Sequence, residues 1–377
     1  MNLIPPMNLP QGLRPTWVEV DLDKLGFNLQ FIRARLKQST RVMAVVKADA
    51  YGHGAVPVAR HLQSLGTDAF AVASVEEGIE LRQAGLQGVI LILGGAFPGQ
   101  EDALIEHALT PSIYSVAAWE RLEQWLSQRS LTLPCHLEFD TGMTRVGIPL
   151  AEAPGLLARA ATSRLKIEGV FSHFSSSDSD PEFTQTQFER FDRIASAACD
   201  GLAKPPVLHV ANTSGSRQPD HQLDLVRVGI GLYGFDPSGR WSAGLKPILS
   251  WHSRVAQLRE VPAGTPVGYS QTHRTAGFAR IATVPAGYAD GISRVLGNRG
   301  VAAVNGVRVP VIGTVTMDML MLDVTGVPDV EVGSAVTLIG RSGDIEISVD
   351  DHGRWAGTIS YEILCRISRR VPRFYRP

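Results

Sequence analysis

Cysteine is scarce in this chain, with three in 377 residues, Cys135, Cys199 and Cys365. An odd number scattered without metal-ligand spacing argues against a disulfide framework and reads as reduced intracellular thiols. An excess of charge of one sign is missing too. With 36 Lys+Arg against 37 Asp+Glu, the net charge of -1 gives no general drive towards nucleic acid or an anionic membrane. No apolar stretch is long enough to span a bilayer, and the opening MNLIPPMNLPQG lacks a basic region followed by a long apolar run. Cytoplasm is the expected address, with neither nucleic acid, membrane nor metal expected as a partner.

What is present is an ordinary globular composition, 44% hydrophobic and 19% charged, in a chain long enough for two domains. Over the first 235 residues short β-branched runs alternate with amphipathic segments. The runs fall near 42–47, 69–73, 89–93, 110–113, 134–139, 167–172, 207–210 and 225–229. Between them, Val75, Ile79, Leu81 and Ala84 make one apolar stripe, and Phe183, Phe188, Phe191 and Ile194 make another. Eight such strands with intervening helices predict a (β/α)8 barrel; an open doubly wound sheet is the alternative that periodicity leaves standing. From Pro247 the texture changes to short runs such as VRVPVIGTV and LMLDV between Gly, Pro and Asp turns, which predicts a β-rich second domain. The barrel is placed at 23–240, with DPSGRWSAG as the linker. Residues 1–22, whose WVEVDL is surplus to the eight strands, are expected to join 241–377.

Chemistry is suggested first by Lys47, in AVVKADAYGHG at the tip of an apolar run. An isolated lysine there is more often salt-bridged or snorkelling. A desolvated one has a lowered pKa, and its neutral amine is a nucleophile for an aldehyde. Arg145 in DTGMTRVG, His173 in EGVFSHF, Asn212 in LHVANTSG and Arg227 in LVRVGIG also sit at or just beyond predicted strand ends, where barrel enzymes work. The loops after the last two strands hold Asn212-Thr213-Ser214-Gly215 and Gly229-Ile230-Gly231. Small side chains and backbone N–H groups there suit a phosphate dianion. A lysine for an aldehyde beside a phosphate cradle points to pyridoxal 5'-phosphate.

These motifs, in this order and together with VGYSQT, VPAGYADG, TVTMDM and TISYE, make the chain resemble the bacterial alanine racemase family over essentially its whole length. The resemblance implies a fold-type III pyridoxal-phosphate enzyme, a homodimer that interconverts L- and D-alanine and supplies D-alanine for cell-wall peptidoglycan. It implies that Lys47 holds the cofactor and is one base, while Tyr269 of the other subunit is the second. It assigns the phosphate to Tyr51, Thr213, Gly229, Ile230 and Tyr361, with Asn212 alongside, and places Arg227 against the pyridine nitrogen. Arg145 would bind near the phenolic oxygen and the substrate carboxylate, and His173 would lie against the ring and support Arg227. Tyr288, Met317 and Asp318 would complete the substrate end from the other chain. An arginine at the ring nitrogen stays protonated and donates, so it leaves that nitrogen unprotonated, a weaker electron sink that disfavours transamination.

Some positions depart from the family pattern. Glu138 stands seven residues before Arg145, where many members carry a lysine that becomes carbamylated. A carboxylate in place of a carbamate could pair with Arg145, or Glu138 could be a strand residue turned elsewhere. Thr213 replaces the commoner serine, and Thr314 and Thr316 replace frequent arginine and cysteine. The alternatives are a racemase of broader specificity acting on serine or larger amino acids, a decarboxylase, and a non-catalytic pyridoxal-phosphate carrier. The carrier resembles the barrel half alone.

Overall fold

Parallel strands buried on both faces are built from near-continuous apolar runs, and each of the eight runs becomes one. The structure, a computed structural model, describes residues 14–160 and 162–377. Two compact units emerge: residues 24–50 with 54–247, and residues up to 23 with Tyr51–His53 and Ile248–Pro377. Strand β1 (Thr16–Asp21) belongs to the second. The first holds β2 (Arg41–Val45), β3 (Ala69–Val72), β4 (Val89–Ile92), β5 (Thr110–Ile113) and β6 (Leu133–Asp140), with the two-residue β7 (Ile148–Pro149) beside β6. It continues with β8 (Leu165–Phe171), β9 (Val207–His209) and β10 (Leu225–Val228).

The barrel strands run parallel in the order β10-β2-β3-β4-β5-β6-β8-β9. Each lies beside its neighbour in sequence, and the Arg227 N–H on β10 donates to the Ala211 carbonyl just after β9 at 3.0 Å. A doubly wound sheet would need a reversal of strand order; its absence here closes the sheet into a nearly complete (β/α)8 barrel. The connecting helices are α1 (Leu22–Arg33), α2 (Lys47–Gly52), α3 (Ala55–Ser64), α4 (Val75–Gln83), α5 (Glu101–Glu106), α6 (Val116–Arg129), α7 (Ala153–Ala160) and α8 (Pro181–Gly201). Helix α8 starts where Asp180 caps it, its carboxylate accepting from Phe183 N at 3.0 Å, with proline in the first turn.

Residues 236–244, which the sequence suggested as a linker, lie partly on the barrel. Asp236 accepts from the N–H groups of Ser238 (3.1 Å) and Trp241 (2.8 Å), and Trp241 meets Phe31 of α1 edge to face with centroids 6.1 Å apart. A small residue is needed behind it, since a Cβ at Gly244 would come within 2.2 Å of the Phe31 ring.

In the second unit, β1 pairs antiparallel with β11 (Leu249–Arg254). Next come β12 (Gln257–Val261), β13 (Pro266–Val267), β14 (His273–Arg274), β15 (Ala279–Val284), β16 (Val301–Val304), β17 (Val307–Ile312), β18 (Leu320–Asp323), β19 (Ala335–Ser342) and β20 (Ile345–Ile347). Two short helices, α9 (Val349–Ala356) and α10 (Ser360–Arg366), precede β21 (Arg373–Arg376), which lies parallel to β1. The main sheet has the order β12-β15-β18-β17-β16-β19-β11-β1-β21. Val267 of β13, Ala279 and Ile281 of β15 and Ile312 of β17 form a small core.

Candidate active site

Strand β2 delivers Lys47 to the C-terminal end of the barrel, and the chain then turns the unusual way. Ala48, Asp49, Ala50 and Tyr51 have φ of 52°, 54°, 53° and 56°, a left-handed turn made without glycine. Such residues cost about 1–2 kcal/mol each, so the surroundings must impose the conformation. Glu77 of α4 is one clamp: its two carboxylate oxygens accept from Ala48 N and Ala73 N, both at 2.7 Å. Asp49 is another, its carbonyl accepting from Gly54 N at 2.8 Å and its carboxylate from Ala55 N at 2.8 Å. Lys47 is left half-buried at the strand tip.

Arg227 is the hub of the barrel interior. Only 2% exposed, its guanidinium donates to the His209 Nδ1 (2.7 Å), to the carbonyls of His209 (3.1 Å) and Ser172 (2.7 Å), and to the His173 Nδ1 (3.0 Å). Burial lowers its pKa to about 10, with Glu138 opposing and Arg145 adding to the fall, so it remains a cation at neutral pH. Burial and the charge of Arg227 together hold both His173 and His209 well below the usual histidine range. Two neutral imidazoles therefore accept from one fixed cation. His209 also stacks on Phe171, centroids 4.8 Å apart and 7° from parallel, and meets His136 at 2.9 Å between ring nitrogens.

The loops after β9 and β10 meet the requirements of a phosphate. Thr213 is 5% exposed with its hydroxyl beside Gly231 N at 3.4 Å, and a Cβ at Gly231 would lie 2.8 Å from the Thr213 methyl. Among the described residues no acceptor takes the N–H of Gly229 or Ile230. Donors without acceptors and a backbone with no room for a side chain suit a dianion. Asn212 works within the loop itself, where its side-chain oxygen accepts from Ser177 Oγ (2.7 Å) and Gly215 N (2.9 Å).

Arg145 is exposed on the loop after β6, which Asp140 shapes by accepting from Gly142 N (2.9 Å) and Thr144 N (3.0 Å). Glu138 is 4% exposed, and among the described residues it forms no hydrogen bond or ion pair with Arg145. Burial pushes its carboxyl up to about 7 against the pull of Arg227, Arg145 and Lys47. Arg227 is the larger of these electrostatic partners, so the direct pairing with Arg145 suggested by the sequence is replaced by an influence on the hub.

The remaining candidates lie in the second unit. Tyr51 is buried against Tyr361, ring centroids 5.9 Å apart, and burial followed by the neighbouring Tyr361 and Cys365 raises its pKa above the ordinary phenol value. Gly52 has no room for a side chain, since a Cβ would sit 2.3 Å from the Leu364 carbonyl. Tyr269, 71% exposed, opens a short turn in which Ser270 and Gln271 have φ of 57° and 49°, and its carbonyl accepts from Thr314 Oγ1 at 3.1 Å. Tyr288 N and Ala289 N donate to the carbonyls of Thr316 and Met317, both at 3.0 Å, seating the 287–290 turn on the 314–319 loop. A side chain at Gly287 would strike both carbonyls at 2.4 Å. Asp318 accepts from Arg370 at 2.7 Å, and Arg370 also binds the buried carboxylate of Asp290.

Sequence reasoning passed over His209, His136 and Glu77. His209 stands in the quoted LHVANTSG, and its signal was a histidine closing an otherwise apolar strand.

A nearly closed parallel barrel with a lysine, an arginine hub and loop N–H groups without acceptors at its C-terminal strand ends, carried with a separate sheet unit, defines a (β/α)8-barrel enzyme of two-domain type. The family profile "Alanine racemase, N-terminal domain" matches residues 20–237, and "Alanine racemase, C-terminal domain" matches 248–375. The chain belongs to the alanine racemase family. It is 42% identical over 372 residues to the alanine racemase of Halothermothrix orenii, covering 96% of this chain and 97% of that one. Among solved structures it is similar to alanine racemase from D-cycloserine producing Streptomyces lavendulae, with TM-score 0.92, 33% identity and coverage of 97% and 98%. Alanine racemase from Bartonella henselae, with covalently bound pyridoxal phosphate, is similar at TM-score 0.88 and 28% identity, covering 97% of this chain and 100% of that chain.

Proposed function

We propose that this chain is an alanine racemase, an isomerase interconverting L- and D-alanine with pyridoxal 5'-phosphate as cofactor. It would act as a cytoplasmic homodimer and supply D-alanine for bacterial peptidoglycan. Residues 23–240 would be the cofactor-binding domain, and 1–22 with 241–377 the β-rich domain. The observation that carries this reading is Arg227, a buried cation fixed by two neutral histidines at the strand ends that also present Lys47.

Lys47 would hold the cofactor, with Thr213, Gly229, Ile230, Asn212, Tyr51 and Tyr361 as the groups for its phosphate. When bound, pyridoxal phosphate supplies the aldehyde for attachment and the electron sink for the pair left by the α-proton. With its four Nη hydrogens taken by His209, Ser172 and His173, Arg227 would offer its Nε–H to the ring nitrogen and, being the stronger base, would keep its own proton. His173 takes the other side of that guanidinium and holds its plane. Racemisation removes a proton from one face and returns one to the other, which needs two bases in different places. Lys47 Nζ serves one face, and Tyr269 Oη of a second copy serves the other. Arg145 binds the substrate carboxylate as an exposed cation on a shaped loop, and Tyr288, Met317 and Asp318 line the substrate end from the second copy.

The test is chiral analysis of the reconstituted enzyme with L-alanine, followed by a panel of L-serine and larger amino acids. An equimolar mixture of alanine enantiomers is expected, with slower turnover of the others. Racemisation of serine faster than alanine would replace this reading with a broader racemase, and release of carbon dioxide would replace it with a decarboxylase.

A further inference from the structure

The barrel has a second opening, at the end away from Lys47. A cavity of about 460 Å³ is lined by Arg41, Ala69, Val89, Leu165, Val207 and Leu225, each the first residue of its strand. Barrel chemistry belongs to the opposite end, yet this volume is that of a small-molecule site. Met43 and Ile167 extend the apolar wall inwards, and Leu202 and Pro205 extend it outwards. The lining also includes exposed Lys166, whose ammonium donates to the Ser163 carbonyl at 2.8 Å, with exposed Lys204 and Glu168.

One polar side chain interrupts the apolar wall deep inside. His136 is 4% exposed, and its ring occupies space that Gly169 leaves open, since a Cβ there would meet Nδ1 at 2.4 Å. The hydrogen bonds decide where its proton sits. A guanidinium can only donate, so His209 accepts from Arg227 on Nδ1, carries its proton on Nε2 and donates it to His136 Nδ1. Burial and the charges of Arg227 and Arg41 hold His136 neutral, with a pKa of about 3. Its single proton is therefore on Nε2, for which the described residues supply no acceptor. The Nε2 donor and the buried charge of Arg227 make the inner end of an apolar chamber attractive to an anion, while Arg41, half exposed and 3.6 Å from Asp68 at the start of its strand, adds positive charge at the outer end.

We propose that this cavity is a second ligand site, for a small monocarboxylate with an apolar body. The carboxylate accepts from His136 Nε2–H within the field of Arg41 and Arg227, the body lies against Met43, Ile167 and Val207, and Lys166 and Lys204 steer entry. Such a ligand ends the hydrogen-bonded chain His136–His209–Arg227, and so touches the hub of the other end without approaching it.

Octanoate is the probe and octanol its neutral control, each titrated calorimetrically into the cofactor-loaded protein. Saturable binding of one octanoate per chain is expected, with octanol at least tenfold weaker. Ala203→Trp, at the cavity wall, should weaken octanoate at least tenfold, and Arg41→Leu should weaken octanoate while sparing octanol. In the wild-type protein carrying 15N-labelled histidine, octanoate should shift the His136 side-chain resonances, assigned with His136→Gln. The proposal fails if binding does not saturate, if octanol matches octanoate, or if bound octanoate leaves the His136 resonances in place. The spectra decide the matter independently should Ala203→Trp not fold.

Discussion

At the residue scale, Glu138 shows how burial and charge compete. Its carboxyl rises from 4.5 to about 7 because burial outweighs the three cations that pull it down. Between those values the folded chain holds a proton that the unfolded chain has lost. Its contribution to stability is thus fully present below about 4.5 and disappears as pH rises through 7. Glu138→Gln keeps the shape and removes the titration, so its stability relative to wild type should climb across that window, by up to about 3 kcal/mol. Urea unfolding at pH 5 and pH 8.5 measures it, and parallel curves for the two proteins would mean that Glu138 does not titrate there. Lys47 makes a sharper prediction: Lys47→Ala should lose the borohydride-reducible bond to pyridoxal phosphate and nearly all racemisation, while the phosphate cradle still takes the free cofactor. A reducible bond retained in that variant would assign the attachment to another lysine.

At the element scale, the left-handed turn α2 is held in place by groups outside it, and Glu77 is the group most open to test. Two N–H groups end on its carboxylate, Ala48 N from the turn and Ala73 N from the chain after β3. Glu77→Ala removes both acceptors and frees the turn, and with it Lys47, to relax; kcat should drop by the equivalent of about 1–3 kcal/mol. A fall in stability with unchanged kcat would make Glu77 purely structural. This turn was not legible in the sequence, because Ala-Asp-Ala-Tyr offers no glycine to announce positive φ. The eight barrel strands were legible, since strands such as Ala69–Val72, buried at every position, leave no polar residue to confuse the run. Helix α8 was legible as a helix but not in its inward face. Gln187 is buried there in place of Phe188, because its amide holds Ser175 N and the His173 carbonyl and so steadies the loop that carries His173. In the β-rich unit WHSRVAQLREV reads as one run yet forms two strands, Leu249–Arg254 and Gln257–Val261, on different parts of the sheet. The helices α9 and α10 are too short to establish a period. His209 and His136 were missed for the opposite reason, as polar residues hidden inside apolar strands, where only the fold shows that their rings meet across Gly169 of the strand between them.

At the scale of the whole molecule, the second unit exposes several large apolar side chains. Tyr269, Met317 and Tyr288 are 71%, 53% and 42% exposed; Met317 lies in the 314–319 loop, to which the Tyr269 carbonyl is tied by the Thr314 hydroxyl and the Tyr288 turn by backbone hydrogen bonds. Rigid backbone beneath exposed aromatic and thioether groups is what the proposed dimer would require of its docking surface. If that partner is a second copy whose barrel supplies Lys47, each competent site needs one group from each chain. Lys47→Ala and Tyr269→Phe should then both be inactive alone and recover activity together. Random exchange makes half of the dimers mixed, and each mixed dimer carries one intact site of two, so roughly a quarter of wild-type activity should return. Mass spectrometry of the mixture establishes that exchange took place. Exchange without recovery would mean that both bases come from one chain, whereas recovery also requires wild-type activity per chain to fall on dilution, since each site dissolves with the dimer.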